Sequence, residues 1–142
     1  MSYSTAFSQT IVTVVFIGDK IRQNLYEFVP TSLISQTLNL KAPTLVKILH
    51  QLNRAGIIES REGKSGGVRL KIAPDKLTLL MLFEAIEQGR PLFQTHLNLA
   101  ASGDKPDKAK KELLRVLDLA EAAMKNSLKE LTVADYIRRI NK

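Results

Sequence analysis

The 142-residue chain contains no cysteine. That absence excludes disulfides, thiolate metal sites and thiol redox sensing together. Histidine is scarce as well. His50 and His96 are far apart and have no clustered carboxylates near them in sequence, a poor basis for a metal site, so no metal ligand is expected. Long apolar runs are also missing. The stretch Ile11–Ile17 contains Thr13 and has no basic residue before it, and it falls far short of the roughly 20 residues a membrane helix needs. No membrane partner is expected, and the cytoplasm is the expected location. The chain has no Gly-x-Ser-x-Gly turn, no phosphate-binding loop and no His–Glu set at metal spacing. Glu84 and Glu87 are three residues apart on one helix, where pairing with Arg90 or exposure to water accounts for them. Neither a catalytic residue nor a cofactor is expected, and no internal repeat or low-complexity tract is present.

What remains is a chain of ordinary core content, 44% hydrophobic, with a net charge of +7. Its length suits one domain with a dimerisation appendage. The charge is uneven: residues 1–76 hold ten Lys/Arg against five Asp/Glu, and residues 77–142 eleven against nine. The positive excess therefore lies in the first half, as a polyanion binder would have it.

That half is organised around Lys41–Ile72. Leu45, Ile48, Leu49 and Leu52 recur at i, i+3, i+4 and i+7, one apolar stripe of a helix over 41–55. Thr44, Lys47, Gln51 and Arg54 are left for the other face, as donors or cations suited to phosphates and base edges. Pro43 fits a first turn, where its missing N–H is harmless, and Ala55-Gly56 ends the helix. The period then changes to two. Ile57-Ile58 leads a strand through Glu59, Ser60 and Arg61; Glu62 to Gly67 forms a glycine-rich turn; Val68–Ile72 returns. Val68, Leu70 and Ile72 are predicted to face the core, leaving Arg69 and Lys71 in solvent. A helix followed by a ribbon with a basic tip describes a winged helix, whose helix enters a major groove while the tip reaches the flanking backbone or minor groove.

The run Leu52-Asn53-Arg54-Ala55-Gly56-Ile57-Ile58-Glu59-Ser60, with Gly63, Gly66-Gly67 and Leu70, resembles the Rrf-two family of bacterial regulators. The resemblance continues through Ala73–Leu79 and Ala85-Ile86-Glu87, and is visible in Tyr3-Ser4-Thr5 and Phe7-Ser8. It is specific over roughly residues 3–89 and generic beyond. It implies a mainly α fold with a small β-wing: a winged helix-turn-helix over residues 1–89, a connecting segment over 90–106, and a dimerisation helix and tail over 107–142. In iron–sulfur members the cluster cysteines lie around the connecting segment. Here Phe93, His96, Leu97 and Leu99 occupy it, so no cluster of that type is expected.

The other elements follow from the pattern. A first helix runs from Phe7 to about Ile21; its β-branched density would also suit a strand, and the resemblance favours the helix. A connector has Tyr26 and Phe28 packing inward, and Thr31 or Ser32 caps a helix over 33–38. Thr78 caps another helix that closes at Gln88-Gly89, with Leu77 stapled to Leu82. From Asp107 a long helix carries a seam of Leu113, Leu117, Ala120, Met124 and Leu128, which the resemblance assigns to a second copy of the chain. A short helix over 132–140 folds back on that dimer.

These readings define the expected sites. Ala42, Pro43, Thr44, Lys47 and Gln51 face double-stranded DNA from the recognition helix. Arg61, Lys64, Ser65, Gly66, Gly67 and Arg69 contact it from the wing. Gly66 and Gly67 exceed what a turn requires and suit a close approach to a sugar–phosphate edge, whereas Arg61 and Arg69 have Glu59 or Glu62 as rival partners. Phe83, Phe93, His96 and Leu97 are candidates to line a pocket for a small-molecule effector, with ordinary packing the alternative. The overall expectation is a homodimeric, sequence-specific transcription regulator, by default a repressor on a palindromic operator. The alternative is a protein-interaction module that keeps the winged-helix surface without binding DNA.

Overall fold

A computed structural model describes residues 5–142. Tyr3 and Ser4, which carry part of the N-terminal resemblance, lie outside the described residues. The first helix, α1 (Ala6–Arg22), is helical despite its β-branched content. Thr10 and Thr13 are fully buried, yet their hydroxyls donate to the carbonyls of Ala6 and Gln9 at 2.7 Å, so neither leaves a polar group unsatisfied. Val14, Val15 and Ile17 then pack into the central core.

The connector behaves differently from expectation at one residue. Phe28 is buried, but Tyr26 remains 37% exposed. Helix α2 (Thr31–Leu38) starts earlier than expected, and neither Thr31 nor Ser32 caps it. Pro30 occupies the N-cap position, with no side-chain cap. Its ψ of 136° gives the extended geometry that precedes a helix. Helix α3 (Ala42–Arg54) buries Leu45, Ile48, Leu49 and Leu52. Gly56, at φ +73°, takes the chain out of it.

Strands β1 (Ile58–Arg61) and β2 (Gly67–Leu70) pair antiparallel, with Ile58 opposite Leu70 and Arg61 opposite Gly67. The second strand stops two residues short of the predicted Ile72, although Leu70 and Ile72 still pack against the core. A further pair of hydrogen bonds ties the wing to the connector: Val29 N–H donates to Val68 O at 2.8 Å, and Val68 N–H to Val29 O at 2.9 Å. This explains the two glycines differently from the expectation. A Cβ on Gly67 would collide with the Val29 carbonyl, and one on Gly66 with the Arg61 carbonyl. Both glycines are required by internal packing, so the wing has no spare glycine there.

Helix α4 (Leu79–Glu87) is capped by Thr78, whose hydroxyl accepts from Met81 N–H at 3.2 Å. Leu77 and Leu82 are fully buried on either side of that cap. Helix α5 (Asp104–Lys129) begins three residues earlier than predicted and takes Pro106 into its first turn, where no amide donor is missed. Helix α6 (Val133–Ile140) opens on a capping box between Thr132 and Asp135. The Thr132 N–H, with the Thr132 hydroxyl adding to it, holds the Asp135 carboxyl below its usual range. This last helix returns to the winged-helix core of its own chain: Val133 N–H donates to Leu77 O at 2.8 Å, Val133 and Ile137 are buried, and Gly18 of α1 leaves room for Ile137.

Gly67→Ala is expected to destabilise the fold by about 2–4 kcal/mol in urea unfolding, since it forces the Val29–Val68 bridge apart. Gly63→Ala, with open space around it, should cost only the roughly 1–2 kcal/mol of its positive φ.

Candidate nucleic-acid interface

The turn between α2 and α3 sets how the recognition helix stands on the domain. Asn39 adopts the left-handed conformation at φ 51°. Ser35 holds the turn on both sides: its hydroxyl donates to Leu40 O at 2.6 Å, and its carbonyl accepts from Leu40 N–H at 3.0 Å. With Leu40 buried and the apolar stripe of α3 turned inward, the outward face follows from helical geometry. Ala42, Pro43, Val46, Lys47, His50, Asn53 and Arg54 are exposed. Thr44 and Gln51 are only half exposed, because they turn toward α1 and α4 and line a cleft there with Gln9, Ile86 and Arg90. The predicted polar face therefore grades in exposure: Thr44 and Gln51 are half exposed, while Lys47 at the rim of the same cleft and Arg54 beside Glu84 and Gln88 of α4 are exposed. Val46, which sequence reasoning passed over, is 65% exposed on the side of the helix that faces α2. Its spacing of four from Ala42 and from His50 was the available signal.

Helix α3 contains no acidic residue. Among the described residues, Lys41, Lys47, Arg54 and Lys64 make no ion pair, so their charge is available to a polyanion. The wing arginines are in another situation. Arg61 and Arg69 both stack on the Phe28 ring, with guanidinium carbons 4.3 and 4.4 Å from its centroid. They share the Glu27 carboxylate at 3.5 Å each. Arg69 also donates to Glu59 at 2.6 Å, and Arg61 to the Ser65 carbonyl at 2.9 Å. Glu59 is thus a rival partner as foreseen; the second rival is Glu27 rather than Glu62. The contact of Glu27 and Phe28 with the wing gave no signal in the sequence, since they are far from it along the chain. Between the start of α2 and the wing runs a polar cleft of about 430 Å³, lined by Thr31, Ser32, Ser60, Arg61 and Lys64.

The residues predicted to line an effector pocket sit in different surroundings. Phe83 is buried and its ring meets Phe7 edge-on at 5.4 Å, which fills the space beside it. Phe93 lines a separate cleft of about 80 Å³ with Pro91, Leu114 and Leu117, while His96 and Leu97 are exposed. The dimerisation seam divides similarly. Leu117, Met124 and Leu128 are half-buried, Leu117 lining the Phe93 cleft and Leu128 packing on the core of its own subunit. Leu113 is half-buried too, and Ala120 is exposed. Glu121, on the packed side, accepts from Leu92 N–H at 2.6 Å. Val116 and Leu119 stand out, 46% and 58% exposed.

The sequence model of the Rrf2 family, described as an iron-dependent transcriptional regulator, matches residues 3–139. The chain belongs to the Rrf2 family. A candidate HTH-type transcriptional regulator of Synechocystis sp. is 38% identical over 55 residues, 39% of this chain and 37% of that protein. Another, from Aquifex aeolicus, is 28% identical over 78 residues, 55% of this chain and 54% of that protein. The matches thus span between about a third and a half of these relatives' lengths. Among solved structures, T. potens IscR superposes with a TM-score of 0.72 at 17% identity, over 99% of this chain and 88% of that one. CymR, the global cysteine regulator of B. subtilis, gives 0.68 at 22% over 98% of each. A transcriptional-regulator structure from Lactobacillus plantarum gives 0.76 at 20%, over 96% of this chain and 90% of that one. These likenesses establish the winged-helix fold with its two-stranded wing and long C-terminal helix.

The family is thus described as one of transcriptional regulators, and this chain carries its sequence pattern over residues 3–139. The chain's donor set does not fit an iron–sulfur cluster: there is no thiolate anywhere in the sequence, and no three His, Cys, Asp or Glu side chains group together among the described residues. No described helix is long and apolar enough to cross a membrane.

Glu27→Gln should leave Arg61 and Arg69 freer for phosphate. Mobility shifts across a salt series are expected to show tighter binding at low salt, and a log–log slope steeper by about 0.9 for each additional phosphate neutralised.

Proposed function

We propose that this chain is a sequence-specific DNA-binding regulator that acts as a homodimer on a palindromic operator, independently of an iron–sulfur cluster. The observation that carries the reading is the outward face of α3: free of acids, bearing unpaired Lys47 and Arg54, and flanked by a wing with unpaired Lys64. Ala42, Pro43, Thr44, Lys47 and Gln51 would meet the major groove. Arg61, Lys64, Ser65, Gly66, Gly67 and Arg69 would follow the flanking backbone. Repression by occupying a promoter is the mechanism proposed, since 1–89 would read DNA, 90–106 connect and 107–142 dimerise.

The dimer contact proposed is the exposed side of α5. Val116, Leu119, Ala120 and Ala123 are presented together there, with Leu113 at their edge, and the two alanines permit close approach of a second helix. Leu119 is exposed within the subunit, so Leu119→Glu should leave its fold intact. Sedimentation is expected to show a monomer whose affinity for a two-half-site operator falls at least about tenfold, because the two reading heads are no longer linked.

The apolar Ala42–Pro43–Val46 patch favours a second reading, a protein-interaction module that does not bind DNA. Selection of bound fragments from the source genome, followed by mobility shifts across a salt series, separates the two. A recurrent palindrome with steep salt dependence is expected. Lys47→Ala or Lys64→Ala should each make the slope shallower by about 0.9 for every phosphate that is no longer neutralised. An absence of binding even at low salt overturns the proposal and leaves the protein-partner reading.

A further inference from the structure

The most exposed large apolar side chain among the described residues is Val46, at 65%, in the middle of α3. A surface valine is ordinary when isolated, but this one has apolar company. Ala42, one turn earlier, is exposed beside it, and Pro43 adjoins. Val46 and Ala42 form the outer lip of a cleft of about 370 Å³ between α2 and α3, backed by Leu45 and Leu49. Cations flank this patch: Lys41 at the helix start and Lys47 next in sequence, neither in an ion pair, and α3 has no acid to oppose a polyanion. Charge complementarity therefore selects duplex DNA as the occupant. In a major groove one base-pair feature is apolar, the C5-methyl of thymine, and branched aliphatic or small side chains complement it.

Resting on the DNA-binding reading, we propose that Val46 is a specificity-determining residue: with Ala42 and Pro43 it forms an apolar reader that selects a thymine methyl at a set position of each operator half-site. Lys47 and Lys64 supply affinity, and Val46 supplies the choice of base. Burial of one methyl is worth about a fourfold change in affinity. A symmetrical operator contacted twice would show about fifteenfold.

The test uses the full-length protein and duplexes recovered by selection from a random-sequence library. Each thymine of the selected half-site is replaced in turn by deoxyuridine, which removes only the methyl. At one thymine, wild-type affinity is expected to fall about fourfold per half-site. Val46→Ala should bind the thymine duplex as weakly as wild type binds the uracil duplex, with no further loss on uracil. Alanine suits an exposed helix position, so this variant folds. If uracil at every position leaves wild-type affinity unchanged, or if Val46→Ala loses affinity while keeping the full uracil effect, the inference is overturned though DNA binding stands. If no duplex binds at any salt concentration, the reading on which it rests has failed instead.

Discussion

Helix α3 has to bury Leu45, Ile48, Leu49 and Leu52 on one side, and the rotation this imposes governs everything the helix can show to solvent. Each of these side chains contributes on the order of 1.5–3 kcal/mol when fully buried, so turning the helix about its axis is prohibitively costly. Ser35 and Leu40 fix where the helix begins, and the stripe fixes its rotation. Val46 then stands out on the α2 side, while Thr44 and Gln51 turn toward α1 and α4 with Lys47 exposed at the rim of their cleft. The exposed face is thus a consequence of core packing, and its chemistry is what packing left free.

The wing depends on a different constraint. Its two arginines would repel one another if left adjacent, yet Phe28 and Glu27 hold both in place. These groups are partly exposed, so the ion pairs contribute little to stability. Their effect is to position the guanidinium groups and to compete with phosphate for them. The unpaired Lys64 at the tip faces no such competition. Backbone bonds between Val29 and Val68 anchor the arrangement, and Gly67 is needed because any side chain there would meet the Val29 carbonyl. A residue that looked like an adaptation to DNA is first an adaptation to the fold.

Helix α5 shows how one apolar pattern divides between two demands. Leu128 packs on its own subunit and Leu117 on the connecting segment, while Val116 and Leu119 remain uncovered. One apolar side of the helix is thus covered within the chain and the other is exposed. Helix α6, tied by Val133 to Leu77 and packed by Ile137 near Gly18, brings the C-terminal end of the chain back to α1. The core therefore draws on residues from both halves of the sequence.

Local periodicity by itself determined α3, the wing and α4, whereas for α1, whose β-branched density suits a strand equally, the family resemblance made the choice. The 3.6-residue recurrence of Leu45–Leu52, the alternation of Val68–Leu70, Thr78 as a cap and Gly56 as a stop are short-range signals, and they produced the helix-turn-helix and the wing. Lack of cysteine likewise removed thiolate ligands without any coordinates. Tertiary structure alone decided what depends on distant partners: that Phe7 packs on Phe83 where a pocket was expected, that Glu27 pairs with the wing, that Tyr26 stays out and α6 folds in. It also decided which of two apolar sides of α5 is covered. A helical repeat specifies a face, but the energy that orients that face comes from side chains many residues away, and their positions exist only once the chain has closed on itself.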